Sequence, residues 1–145
     1  MIDGVSVISL KKVCNEQGCV FHMLKRTDPV FREFGEIYFT SVNPGIIKGW
    51  TIHKEADINL ACPRGRVKCV LIDMRANSAT KDAVEEIMLG EDDYVLLHVP
   101  CGVAVAFKGL SENPALLANC STLPHAPDEM IKIDPRSGEI GYKWE

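Results

Sequence analysis

At 145 residues the chain fits a single domain, residues 1–145, long enough to bury a sizeable hydrophobic core. Apolar residues make up 46% and charged residues 25%, and the net charge is -4, an ordinary composition for a water-soluble domain. Basic residues concentrate no further than the pairs Lys11-Lys12 and Lys25-Arg26, which excludes a nucleic-acid footprint, and no run approaches the ~18 apolar residues of a membrane span.

Residues 1–4, Met1-Ile2-Asp3-Gly4, offer no basic lead-in to an apolar run, so no secretory signal is expected and the cytoplasm is the default compartment. The six cysteines, at 14, 19, 62, 69, 101 and 120, are expected there as free thiols. Neither the 14/19 nor the 62/69 spacing is that of a zinc knuckle, so no metal site is expected.

In chain order, residues 5–10 form a short apolar strand candidate. Residues 19–24 form a second, which the polar turn Asn15-Glu16-Gln17-Gly18 joins to the first as a hairpin. His22 within it has no acidic neighbour and reads as structural. Residues 36–42 alternate, and Asn43-Pro44-Gly45 turns the chain into a strand over 45–54 that carries lysines, a tryptophan and His53 among its aliphatics. Strand candidates follow at 58–60, 67–74, 94–99, 103–107, 130–133 and 140–144; residues 85–89 and 115–119 leave the element type open. Short strands with turn signals every ~8–12 residues and almost no helical periodicity point to an all-β sandwich or barrel.

Four stretches resemble dTDP-4-dehydrorhamnose 3,5-epimerases. Gly45-Ile46-Ile47-Lys48-Gly49-Trp50-Thr51 resembles their G-V-L-R-G-L-H, and residues 65–80 resemble a G-K lead into D-x-R-x-x-S-x-T. Residues 99–107 resemble I-P-x-G-x-A-H-G-F, and Pro127-Asp128-Glu129 with Asp134-Pro135 resembles the P-E-x-E and D-P landmarks. The resemblance implies a cupin-type jelly-roll β-barrel, a homodimer, and a nucleotide sugar bound in the barrel mouth without metal or other cofactor. Three departures stand out. Thr51 occupies the place of the family's catalytic histidine, Val105 replaces the histidine of A-H-G-F, and Pro124-His125 stands where the family keeps a tyrosine acid. Lys48-Gly49-Trp50-Thr51-Ile52-His53-Lys54 is also similar to the R-G-x-H-x-H-K of sugar-nucleotide 3,4-ketoisomerases, which aligns His53 with their second histidine.

Both families labilise a C–H next to a sugar ketone, which needs a base and a means of holding an enolate. His53 is the base candidate, since two residues along a strand return a side chain to the same face. His125 is the proton-donor candidate, with Tyr142 a weaker rival. Asp134 either orients the base or merely opens the Asp134-Pro135 turn. Lys48 and Arg66 stand where the epimerases keep cations, to hold enolate or diphosphate, or else as solvated strand-edge charges. Lys48 shares a cavity with His53 only if Gly49 marks a bulge. Thr51, Tyr38 and Trp50 are candidate substrate contacts, with core packing the alternative for the two aromatics. Asp73 and Arg75 read as an internal ion pair, and His98 as structural. The leading function is a 3,5- or 3-epimerase of 4-keto-6-deoxy sugar nucleotides. The alternatives are a 3,4-ketoisomerase and a non-catalytic cupin that binds a sugar nucleotide or a protein partner.

Overall fold

A computed structural model describes residues 1–145 throughout. Twelve strands form in chain order. They are β1 (Ser6–Ser9), β2 (Lys12–Asn15), β3 (Gly18–Phe21), β4 (Glu36–Val42), β5 (Ile47–His53) and β6 (Ile58–Arg64). The second half supplies β7 (Arg66–Asp73), β8 (Val84–Gly90), β9 (Val95–Val99), β10 (Val103–Gly109), β11 (Ala115–Ser121) and β12 (Met130–Lys132). The sole helical turn is a 3-10 segment, Pro127–Glu129, so no helix is long and apolar enough to cross a membrane.

Two five-stranded sheets carry the fold, with orders β1-β9-β6-β11-β4 and β12-β5-β10-β7-β8. Every strand pairing is antiparallel. This is the expected jelly-roll barrel, and period-two alternation explains its layers. Leu60, Leu97 and Leu117 from the first sheet meet Val67, Leu71 and Val105 from the second in the central core. The alternate residues of the second sheet, Val70, Ile72, Ala104 and Ala106, form a smaller core on its outer side with Trp50, Ile52 and Ile140. There the C-terminal tail lays Ile133, Tyr142 and Trp144 over the sheet. Residues 140–144 are thus an irregular strap rather than a strand, whereas 85–89 and 115–119 both lie in strands.

The N-terminal expectation is corrected. β1 pairs with β9, and the hairpin is β2 with β3. Its two-residue turn places Cys14 opposite Cys19, and these form a disulfide instead of remaining thiols. The other four cysteines are free. Spacing alone concealed this because the pairing register, not the separation, brings the sulfurs together.

The D-x-R-x-x-S-x-T stretch is a structural knot. Asp73, with no exposed surface, accepts from Arg75 Nε at 2.8 Å and Nη2 at 2.9 Å, from Ser78 Oγ at 2.6 Å and from Thr80 Oγ1 at 2.7 Å. The Arg75 guanidinium, against the opposing effect of burial and helped by the two hydroxyls, holds the Asp73 carboxyl far below the usual carboxylate range. The expected internal ion pair is therefore present, with both hydroxyls of the motif as its further ligands.

Candidate active site

The β5–β10 ladder slips by one residue. Val105 faces Thr51 and Ala106 faces Gly49, leaving Trp50 as the extra residue of a bulge. Glycine is required there: Gly49 has φ +133°, and a Cβ would lie 2.7 Å from that of Ala106. The slip reverses the alternation, so Lys48, Thr51 and His53 all line one cavity of about 440 Å³ between the sheets, a ligand-sized space. The same slip turns Trp50 away. It is 1% exposed and packs against Tyr142 and Trp144, with ring centroids 6.1 and 5.9 Å away, so its expected substrate contact is replaced by core packing.

His53 is 8% exposed at the end of β5. Its Nδ1 lies 2.7 Å from Glu129 Oε1, while Glu129 Oε2 accepts the amides of Glu55 at 3.0 Å and Ala56 at 2.9 Å. The Lys54 amide also donates to the Glu129 carbonyl at 2.8 Å, so backbone and side chain together tie the 3-10 turn to the strand end. Burial pushes the Glu129 carboxyl up, but the Ala56 and Glu55 amides and the His53 ring outweigh it and hold the group below its ordinary value. An ionised Glu129 accepts only, so His53 Nδ1 is the donor of this bond, and a neutral imidazole so held carries its lone pair on Nε2.

Asp134 is not the orienting carboxylate. It is exposed on a turn outside the barrel, where it accepts the Arg136 amide at 2.8 Å and the Arg136 Nε at 3.3 Å. Arg66 is also excluded from the cavity. It is exposed at the start of β7, opposite Gly90, at the end of the sheet away from His53. Tyr142 is taken up in the outer core, its hydroxyl donating to Glu86 Oε1 at 2.6 Å. His98 is buried, with Nδ1 2.8 Å from Asn59 Oδ1, and burial pushes its pKa down.

The remaining candidates line the cavity. Lys48 Nζ donates to Thr40 Oγ1 at 2.5 Å and the Ser41 carbonyl at 3.1 Å. His125 lies at the mouth, its amide donating to Glu36 Oε1 at 2.8 Å. Tyr38 faces in from β4 and accepts from Asn119 Nδ2 at 2.9 Å. Burial, then the nearby Glu36 charge, raises the Tyr38 phenol and keeps it protonated at neutral pH.

Sequence reasoning missed Glu129, Lys132 and Asn119. Glu129 was visible in Pro127-Asp128-Glu129, but its role needs the pairing of β12 with β5, which sets Met130 opposite His53. Lys132 reaches the cavity through that same pairing, opposite Thr51. Asn119 carried a signal: it is a polar residue at an inward position of a strand whose other inward residues include Ala115 and Leu117. Nowhere do three or more His, Cys, Asp or Glu side chains gather as a metal would need.

The family model for dTDP-4-dehydrorhamnose 3,5-epimerase matches residues 1–145. The spore coat polysaccharide biosynthesis protein SpsL of Bacillus subtilis (strain 168) is 32% identical over 146 residues, covering 99% of this chain and 97% of that protein. The crystal structure of a dTDP sugar isomerase from Desulfovibrio desulfuricans G20 superposes with a TM-score of 0.95 at 35% identity, covering 99% of this chain and 92% of that one. A dTDP-6-deoxy-D-glucose-3,5-epimerase of Legionella pneumophila, in complex with dTDP-4-keto-L-rhamnose, shares the fold at a TM-score of 0.84 and 21% identity, covering 99% of this chain and 80% of that one.

Proposed function

Because the chain belongs to the dTDP-4-dehydrorhamnose 3,5-epimerase family, we propose that it epimerises a nucleotide-linked 4-keto-6-deoxy sugar, with His53 as the base. The observation that carries this reading is the buried His53–Glu129 pair facing a ligand-sized cavity. His53 Nε2 removes a proton from the carbon beside the ketone. The C–H electron pair forms the new C=C bond, and the carbonyl pair moves onto oxygen. Glu129 stabilises the imidazolium so produced. Return of a proton to the opposite face inverts the carbon, and His125 at the mouth is the donor to test. Lys48 and Lys132 provide positive charge for a diphosphate, and Thr51 lines the sugar's path.

A His53 two residues beyond the family's usual position serves the same cavity because Thr51 and His53 face it together. That favours catalysis over a merely binding cupin, because the Glu129 carboxylate stabilises the imidazolium that proton abstraction produces. A homodimer fits the edge strand β4, whose outer face leaves Phe39 63% and Ile37 48% exposed next to Phe34 at 64%. Cytoplasmic residence fits the four free thiols, three of them buried.

The test is solvent exchange: with dTDP-4-dehydro-6-deoxyglucose in heavy water, the chain introduces deuterium at a ring carbon next to the ketone. His53→Gln abolishes it. Undiminished exchange in that variant removes His53 as the base, and a product whose carbonyl has moved to C3 assigns a ketoisomerase instead.

A further inference from the structure

Tyr38 and Asn119 are among the polar groups of the cavity that the proton transfer does not use. Tyr38 on β4 and Asn119 on β11 are direct cross-strand partners, and both face the cavity from the first sheet, opposite the His53 wall. Asn119 Nδ2 donates to the Tyr38 oxygen, which leaves the phenol's own proton without an acceptor in the protein. The Asn119 Oδ1 is buried with no donor at all, on a side chain only 5% exposed. Buried carbonyl groups are rarely left so, and this one belongs to a residue of the cavity wall. One free donor and one orphan acceptor therefore stand side by side.

We propose that Tyr38 and Asn119 form a donor–acceptor clamp on the α-hydroxyketone of the substrate, Tyr38 donating to the carbonyl oxygen and Asn119 Oδ1 accepting from the neighbouring hydroxyl. The clamp rests on the epimerase reading and extends it to substrate class. A 4-keto sugar that keeps its 3-hydroxyl presents an acceptor and a donor on adjacent carbons. When His53 takes the C3 proton, the C–H pair becomes the C3=C4 bond and the carbonyl pair becomes the charge on O4. Neutral imidazole and neutral ketone become imidazolium and enolate, so charge balances. In that planar enediolate, O3 and O4 lie on the same edge of the double bond, which matches two groups on adjacent strands.

The Tyr38 bond strengthens as charge grows on O4, which is the condition for accelerating the step rather than only binding substrate. Asn119 holds O3 in the same plane. On this wall Ile58 and Leu60 are apolar, Glu36 accepts the His125 amide and the Thr40 hydroxyl is held by Lys48 Nζ, which leaves Tyr38 as the donor beside Asn119. Tyr38 remains protonated for this use because burial and the Glu36 charge oppose its ionisation.

The experiment measures solvent-deuterium exchange and kcat/KM for dTDP-4-dehydro-6-deoxyglucose and for its 3-deoxy analogue. The unaltered chain favours the hydroxylated sugar by about 100-fold or more, as sites built to bond a hydroxyl do. Tyr38→Phe lowers exchange by ~10²–10³-fold with little change in KM. Asn119→Leu brings the two sugars within about threefold of each other, an outcome that general loss of folding, acting equally on both, does not produce. Equal handling of the two sugars by the unaltered chain overturns the clamp whatever the variants do. Exchange lost in His53→Gln but kept in Tyr38→Phe overturns the clamp alone. Absence of exchange in the unaltered chain overturns the epimerase reading and the clamp with it.

Discussion

Replacing Glu129 with glutamine keeps the shape of the side chain and removes its charge. The carboxylate now receives two amides on Oε2, from Glu55 at 3.0 Å and Ala56 at 2.9 Å, and His53 Nδ1 on Oε1 at 2.7 Å. A carboxamide has one accepting end and one donating end. Turning its oxygen to His53 would set an NH2 group against two backbone donors, at about 1 kcal/mol for each bond lost. The oxygen therefore stays with the amides and the NH2 faces Nδ1, which must become an acceptor. The imidazole proton then moves to Nε2, and the lone pair that does the chemistry is gone. Restoring the working tautomer costs about 2 kcal/mol, and losing the charge-assisted bond to the imidazolium adds about 1–2 kcal/mol. The sum, about 3–4 kcal/mol, is a ~10²–10³-fold fall in kcat. The assay is the exchange reaction followed by NMR at neutral pH, beside a thermal melt. A Glu129→Gln protein that melts like the original and exchanges within about threefold of it refutes the assignment of Glu129 as the orienting carboxylate.

Four further outcomes are expected. Asp73 and Glu129 both have folded-state pKa values below their unfolded ones, so their stabilisation is complete above the ordinary carboxylate range and disappears as pH falls through the depressed values. Melting temperature should hold from neutral pH down to about 5 and then fall, and Asp73→Asn, which strands Arg75, should cost about 3–5 kcal/mol by denaturant unfolding near neutral pH. Gly49→Ala forces a Cβ to 2.7 Å from Ala106 at a positive φ, and should lower stability by at least about 2 kcal/mol while reducing exchange through displacement of Lys48 and His53. Trp50→Phe should lower the melting temperature yet leave KM for the nucleotide sugar unchanged, because the ring packs behind the sheet; a large rise in KM would return Trp50 to the cavity.

The all-β class was legible because alternation and turn residues are local properties. The ordered motifs carried the family for the same reason. Residues 85–89 and 115–119 were ambiguous because short apolar runs suit helix and strand alike until partners are known. The β2–β3 disulfide lay hidden because a five-residue separation becomes bonding distance only in one register.

Within the site the division falls at β5. The family resemblance nominated His53, periodicity added that Lys48 could join it only across a bulge at Gly49, and the ladder slips at that glycine. The consequence for Trp50 needed the tertiary structure, since a single added residue reverses every face beyond it. The exchange of Asp134 for Glu129 has a similar origin. The two acids flank β12, and only the docking of the 127–129 turn against the end of β5 decides which carboxylate meets the imidazole. The residue types that do chemistry were thus set by the sequence itself, as was their alternation along each strand. Which of them face one another was set by the bulge, the strand order and the packing of the two sheets, interactions between residues as far apart as Tyr38 and Asn119 that no local pattern encodes.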